Sequence, residues 1–375
     1  MLMESMLTTN QAARRLGVKP ATVYAYVSRG LLTSKKVNRQ SMFDVAEVET
    51  LAQRTGARGA VAAVTDRIRT RISLLENDRL YFRGRSVPEL SSTKRFEDVA
   101  HWLWTEIDSV GMQFPEGQEI WMALPESATL TDRVRVAVAL AGAGDPLRFD
   151  LSRAVTTAKA LIADVVESLP LQQRPQGTDI ADRLWARLSP APAQPDLLNT
   201  VLVLLADHDL AISTMAARVA ASARAHPYAV VSAGLGALEG QKHGTASTLA
   251  HRFLQQAKAD PMGAIAEHLR AGQAIPGFGH YVYQRCDPRA DHLFAVLRSH
   301  GELVADKVIA AQQQTFPNVD LALAQLGVMF EMAPDAGEAI FAIARIVGWI
   351  AHAMEEYAEP GLRFRALGVY MGDRP

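Results

Sequence analysis

Only one cysteine, Cys286, occurs in 375 residues. No internal disulfide and no cysteine-rich metal framework can form, and the usage fits a reducing cytoplasm. A surplus of one charge is also missing. The 39 Lys and Arg against 40 Asp and Glu leave a net charge of −1, which argues against wholesale binding to nucleic acid or membrane. No segment reads as long and apolar enough to span a bilayer, and "MLMESMLTTNQAARRLG" has no signal-peptide core. The greasiest run, "VLVLLA" at 201–206, is stopped by Asp207, His208 and Asp209 and reads as a buried helix. Internal repeats and sustained heptads are absent. So is βαβ alternation, which leaves "GLGALEG" (234–240) without the context a dinucleotide loop needs.

What remains is an ordinary globular composition, 49% hydrophobic and 21% charged, with a sizeable core expected. The length suggests two or three domains. The first 56 residues stand apart, with eight Lys and Arg against four Asp and Glu, a surplus of four. "LTTNQAARRLGVKPATVYAYVSRGLL" predicts a short helix capped by Thr9 or Asn10, a turn at Gly17, and a second helix from about Pro20 to Arg29. Ala12, Leu16, Val23 and Val27 form its small core at helical spacing. "KKVNRQSMFDVAEVETLAQ" adds a short ribbon and a third helix from near Asp44. The segment resembles the helix-turn-helix of the MerR and excisionase families, whose second helix enters the major groove. That resemblance implies DNA contacts from Thr22, Tyr24, Tyr26, Arg29, Lys35 and Lys36. A small helical docking module shares the same pattern.

"RTGARGAVAAV" (54–64) reads as a connector running into a helix, and "RISLLENDRLYFRG" as a hairpin turning at Asn77-Asp78. Beyond it, long stretches carry apolar residues at i, i+3, i+4. They include "RFEDVAHWLWTEI", "LLNTVLVLLADHDLAISTMAARVAASA" and "GEAIFAIARIVGWIAHAMEEYA". The expected class is mainly α.

Three stretches set His or Asp beside glycine, proline or a helix end, where backbone approaches a ligand closely. They are "GLGALEGQKHGTAS" with His243, "IPGFGHYVYQRCDPRA" with His280, and "FPNVDLALA" with Asp320. No pair among these three has the spacing of a helical metal motif, so no metal is expected. In order over roughly 300 residues, these stretches, "LYFRGRSVPELSSTKRFEDVAHWLW", "LLADHDLAISTMAAR" and "RFRALGVYMG" resemble the citrate synthase family, including the 2-methylcitrate synthases.

The resemblance implies large and small helical domains behind the N-terminal winged helix-turn-helix-like domain. The implied bounds are 1–56 for the latter, 57–69 for a connector, 70–243 with 331–375 for the large domain, and 244–330 for the small one. It implies a Claisen condensation of an acyl-CoA, acetyl or propionyl, with oxaloacetate, followed by thioester hydrolysis. Asp320 matches the base, His243 the donor to the enolate oxygen, and His280 the acid for the ketone oxygen. Arg289, Arg345 and Arg365 match the carboxylate-binding arginines, with His208 as a further contact. The last arginine reaches across a homodimer. Gly277, Gly279 and Arg285 fall at the coenzyme side. No cofactor beyond the acyl-CoA co-substrate is implied, and no membrane.

Departures cluster around the coenzyme. The usual His-Gly-Gly-Ala-Asn reads "HGTAS" after Lys242, and Ala211 and Leu205 replace an asparagine and a common histidine. Tyr281 and Gln284 stand where basic residues are usual, and Leu367 replaces the last arginine of Arg-Pro-Arg. A charge-assisted hydrogen bond to a phosphate contributes about 1.5–3 kcal/mol, so thinning these basic residues predicts a raised KM for the coenzyme. For Arg345 the competing interpretation is a buried helix arginine with an unseen partner. A second function also fits: a DNA-binding transcriptional regulator whose citrate-synthase-like body senses a metabolite.

Overall fold

The computed structural model describes residues 6–16, 18–37, 40–45, 47–48, 51, 68–240, 243–244, 246–312 and 315–364. Two compact units emerge, Met1–Arg69 with Arg363–Pro375, and Thr70–Leu362. The turn at Gly17, the end of the N-terminal domain at 52–56 and residues 57–67 of the connector lie outside the described residues.

The first unit runs β1 (Met6–Thr8), α1 (Thr9–Leu16), α2 (Pro20–Ser28), β2 (Ser34–Val37) and β3 (Gln40–Asp44), with an antiparallel sheet in the order β1-β3-β2. Helix α1 is capped by Thr8, one residue before the expected Thr9 or Asn10. The Thr8 N–H donates to Gln11 Oε1 at 2.8 Å, and the Gln11 N–H donates back to the Thr8 hydroxyl at 3.4 Å. Thr9 is already helical, and its hydroxyl meets the Tyr24 hydroxyl at 3.1 Å. Ala12, Leu16 and Val23 are buried with Leu32 and Phe43, while Val27 is partly buried against them. Tyr26 is partly buried against this core too. It lies three residues from the fully buried Val23 and so shares that face of α2. Thr22 is half-buried, whereas Tyr24, Arg29, Lys35 and Lys36 are exposed.

The second unit opens with β4 (Ser73–Glu76), β5 (Arg79–Phe82) and β6 (Arg85–Ser86), antiparallel neighbours in that order. Asn77 and Asp78 make the two-residue turn with φ of 52° and 57°, a conformation these residue types tolerate. There follow α3 (Val87–Thr93), α4 (Phe96–Thr105), α5 (Leu130–Gly144), α6 (Ala154–Glu167), α7 (Ile180–Leu188), α8 (Pro195–Leu205) and α9 (Ile212–Ser222). Next come α10 (Pro227–Leu238), α11 (Ala246–Ala257), α12 (Pro261–Arg270), α13 (Pro288–Arg298), α14 (Val304–Ala311), α15 (Val319–Met329) and α16 (Ala336–Ala358). One continuous apolar core joins them.

Helix α16 is the axis of this unit and packs against α4, α5, α6, α8, α9, α10, α11 and α15. It is apolar nearly all round, as a helix inside a core must be. By length and composition it could cross a membrane, which corrects the expectation that no segment qualifies. Its residues from Ala339 to Ala353 are all buried in the protein core, Arg345 and His352 among them. The long apolar stretch 197–223 is broken into α8 and α9 by residues 206–211, where Asp209 takes a φ of 52°. That break carries His208 to the site.

Candidate active site

Asn318 joins two segments of the site. As the N-cap of α15, its side-chain oxygen accepts from the N–H groups of Asp320 (3.0 Å) and Leu321 (3.4 Å). Its amide nitrogen donates to the Gly279 carbonyl at 2.8 Å, and its backbone N–H to the Gly277 carbonyl at 2.9 Å. The helix that presents Asp320 is thereby fixed to the loop that presents His280. Gly277, at φ 84°, admits the close approach: a Cβ there would fall 2.6 Å from Leu321 Cβ.

The His280 ring is oriented by its own loop. Nδ1 accepts from the N–H groups of Val282 (3.1 Å) and Tyr283 (3.4 Å), which places the neutral ring's proton on Nε2. Nε2 faces the Arg289 guanidinium at 3.5 Å. Burial, reinforced by Arg289, lowers His280 to about 4. The buried His208 meets the Tyr283 hydroxyl at 2.9 Å through Nε2, and burial, then Arg289 and Arg345, holds it well below the usual range. His243 sits on the turn before α11, where the Gly244 N–H donates to the Leu238 carbonyl at 2.8 Å. Its Nε2 lies 2.9 Å from the Ser213 hydroxyl, and burial, then Arg345 and Arg289, take it down to about 4. All three rings are thereby kept neutral at pH 7. Asp320 moves the other way, raised by burial to about 7 against the pull of Arg289.

The two arginines differ. Arg289 is held by the buried Asp287, through Nε at 3.0 Å and Nη2 at 2.8 Å. Asp287 also accepts the Val319 N–H at 3.0 Å, so the same carboxylate ties this arginine to α15. Arg345 is fully buried on α16, and its Nε donates to the Leu205 carbonyl at 2.8 Å. Among the described residues, neither of its terminal nitrogens has a hydrogen-bond partner. Burial lowers it to about 10, so it remains a cation at neutral pH. Asp207 acts on it through space against the effect of burial, but a buried charge with unbonded nitrogens is unfavourable. Arg345 lines a cavity of about 280 Å³ together with His208, His243, His280, Arg289 and Asp320. That cavity is lined by three neutral imidazoles, a carboxyl poised near pH 7 and a guanidinium whose terminal nitrogens are unbonded.

Of the residues selected from the sequence, those six share one cavity, and Gly279 lines it as well. Arg285 does not: it is exposed and pairs with Asp78 at 3.2 Å in the β4–β5 turn. Arg365 and Lys242 lie outside the described residues. Sequence reasoning missed Ser213, Tyr283, Asp287 and Asn318 as supports. Asp287 had a usable signal, since an Asp before a proline that starts a helix is an N-cap, and its side chain does accept the Arg289 N–H at 3.1 Å.

The chain matches the family described as "Citrate synthase, C-terminal domain" over residues 62–365 and a "Helix-turn-helix domain" over residues 6–56. It is 26% identical over 348 residues to citrate synthase 2 of Bacillus subtilis, covering 80% of this chain and 91% of that one. Over 368 residues it is 28% identical to 2-methylcitrate synthase 2 of Corynebacterium glutamicum, covering 84% and 94%. The crystal structure of citrate synthase from Thermotoga maritima matches with a TM-score of 0.66 at 26% identity, covering 82% of this chain and 94% of that one. The Thermoplasma acidophilum citrate synthase, solved as a ternary complex with carboxymethyl coenzyme A and oxaloacetate, shares the fold with a TM-score of 0.65 at 22% identity, covering 82% and 94%. With the helical body, the cavity at its centre and more than three quarters of its length matched, the chain belongs to the citrate synthase family.

Proposed function

We propose that the protein condenses an acyl-CoA with oxaloacetate and hydrolyses the resulting thioester. The observation that carries this is Arg345, a buried guanidinium on the cavity wall whose terminal nitrogens have no hydrogen-bond partner among the described residues. A substrate carboxylate supplies the missing anion, and the fork geometry binds it bidentately. Arg289, pre-oriented by Asp287, and His208 hold the remainder of oxaloacetate, joined by Arg365 from a partner subunit. The ternary complex of the Thermoplasma acidophilum protein contains oxaloacetate and a coenzyme A derivative, which supports the same pair of ligands here.

In this mechanism Asp320 takes a proton from the carbon next to the thioester carbonyl. Ser213 donates to His243 Nε2, leaving the Nδ1–H to stabilise the enolate oxygen. The enolate carbon bonds to the ketone carbon of oxaloacetate, and the His280 Nε2–H delivers its proton to the ketone oxygen. Water then cleaves the thioester, releasing the free thiol. Residues 244–330 act as the small domain that closes over the substrates and excludes bulk water. The backbone at Gly277 and Gly279 approaches the coenzyme. The reaction is assigned to a homodimer in the cytoplasm, and Leu140 on α5 with Ile212 and Val219 on α9 offer exposed apolar side chains for pairing.

Thiol release by the purified protein, with oxaloacetate and either acetyl-CoA or propionyl-CoA, tests this directly. Release is expected to depend on oxaloacetate and to vanish in His243→Ala, with the rate ratio naming the acyl group. No release with either thioester, while oxaloacetate still binds, would favour a metabolite-sensing body over a catalytic one.

The N-terminal unit is proposed to bind duplex DNA, on the strength of its helix-turn-helix match and the exposed Tyr24, Arg29, Lys35 and Lys36. Phosphate contacts from Lys35 and Lys36 make such binding salt-dependent. Lys35→Ala with Lys36→Ala is expected to weaken duplex binding and to flatten its dependence on salt concentration in a gel-shift series. Equal binding by parent and variant would remove these lysines from the interface.

A further inference from the structure

Beneath the cavity lies a buried ionic chain that the condensation chemistry does not use. Asp207, directly before His208, is fully buried. Its Oδ2 accepts from the Ser73 hydroxyl, from the Asp209 N–H at 3.1 Å and from His352 Nε2 at 3.4 Å. His352 is fully buried on α16, and its Nδ1 lies 2.6 Å from Arg218 Nη1. Arginine only donates, so Nδ1 is the acceptor and Nε2 is the nitrogen that donates to Asp207. Arg218 is itself fixed by Glu356 (Nε, 2.6 Å) and Glu355 (Nη1, 2.8 Å).

The 205–209 turn meets α16 at three points one or two helical turns apart. Arg345 Nε donates to the Leu205 carbonyl at 2.8 Å, the Gly348 N–H donates to the Ala206 carbonyl at 2.9 Å, and His352 holds Asp207. Positions 345, 348 and 352 fall on one face at helical spacing. Gly348 is what lets the turn sit down, since a Cβ there would lie 2.2 Å from Asp207 Oδ1 and 2.7 Å from the Ala206 carbonyl oxygen. Two substrate-binding groups are thus referenced to this turn: His208 belongs to it, and Arg345 is oriented by its first carbonyl.

We propose that His352 is a positioning residue for the dicarboxylate: through Asp207 it fixes the 205–209 turn, and with it His208 and the Leu205 carbonyl that aims Arg345. The proposal rests on the cavity being the oxaloacetate site. His352 touches neither substrate. Its removal therefore deletes no group that bonds to substrate but shifts the turn that aims two of them, and small displacements of positioning groups carry large penalties.

The test is calorimetric titration of oxaloacetate, with KM values for both substrates measured alongside. In His352→Leu the Kd and KM for oxaloacetate are expected to rise roughly ten- to a hundredfold, with kcat and the KM for acyl-CoA close to the parent's. His352→Gln should restore most of the affinity, because its amide can accept from Arg218 and donate to Asp207 at once. If His352→Leu does not fold, Ser73→Ala removes a different bond to Asp207 while leaving α16 intact, and a rise in the same single constant is expected. A folded His352→Leu protein with the parent's oxaloacetate affinity would overturn the proposal, as would an equal rise in both KM values, the mark of general loosening. Because calorimetry needs no turnover, a parent that binds oxaloacetate without releasing thiol would fail the condensation reaction and leave the positioning role standing or falling on its own affinity data.

Discussion

Replacing Asp320 by asparagine is expected to suppress thiol release by about 10²–10⁴-fold, the typical contribution of a positioned base, while oxaloacetate binding stays nearly unchanged. Asparagine preserves the shape, and the cap of α15 survives because it uses the backbone N–H of residue 320. What disappears is the ability to accept a proton. In the parent, Asp320 is raised to about 7 by burial, with Asp287 and Glu338 adding to the effect and Arg289 opposing it. The free enzyme's kcat/KM should therefore fall as pH drops below about 7, where the base becomes protonated. Stability runs the opposite way. A carboxyl near 7 in the folded state and near 3.9 in the unfolded chain keeps its proton longer when folded. Its stabilising contribution is present at low pH and is lost as pH rises through about 7. The Asp320→Asn protein lacks that loss. Thermal melts should show it more stable than the parent at about pH 8, with the gap closing below about pH 4. An Asp320→Asn protein that turns over like the parent would end the assignment of the base.

His243, His280 and Asp320 were legible because each sits in a local pattern that glycine, proline or a helix cap imposes on the chain. The helices were legible from their apolar period, but their interruptions were less so. The run 197–223 carries an apolar face throughout, yet it bends at 206–211 because Asp207 finds its partners elsewhere. Those partners are Ser73, 134 residues away, and His352, 145 residues away. No spacing rule reaches that far. Nor could the sequence decide whether Arg345 had a partner. Its Nε has one, the Leu205 carbonyl, and its terminal nitrogens have none. That division, half structural and half open, is itself a three-dimensional fact.

The open half makes Arg345→Met the most discriminating substitution. Truncating one member of a buried charge pair typically weakens binding by about 2–5 kcal/mol, or roughly 30- to several thousandfold in Kd, so oxaloacetate titrations of the variant should approach no detectable heat. The unliganded fold should respond in the opposite sense. Removing a buried charge that has no bonded counter-ion relieves its desolvation, offset here by the lost attraction to Asp207 and by about 1 kcal/mol for the missing bond to the Leu205 carbonyl. The variant is thus expected to melt at or above the parent's temperature without ligand, and to gain nothing when oxaloacetate is added. The parent should rise on addition, by mass action on the folded state. Loss of binding together with a large fall in melting temperature would mean that the guanidinium serves the fold, through its hold on the 205–209 turn. In that case an arginine awaiting a carboxylate would no longer account for the cavity. Loss of binding with retained or increased stability is the outcome expected of a group that is unfavourable to the protein until its substrate arrives.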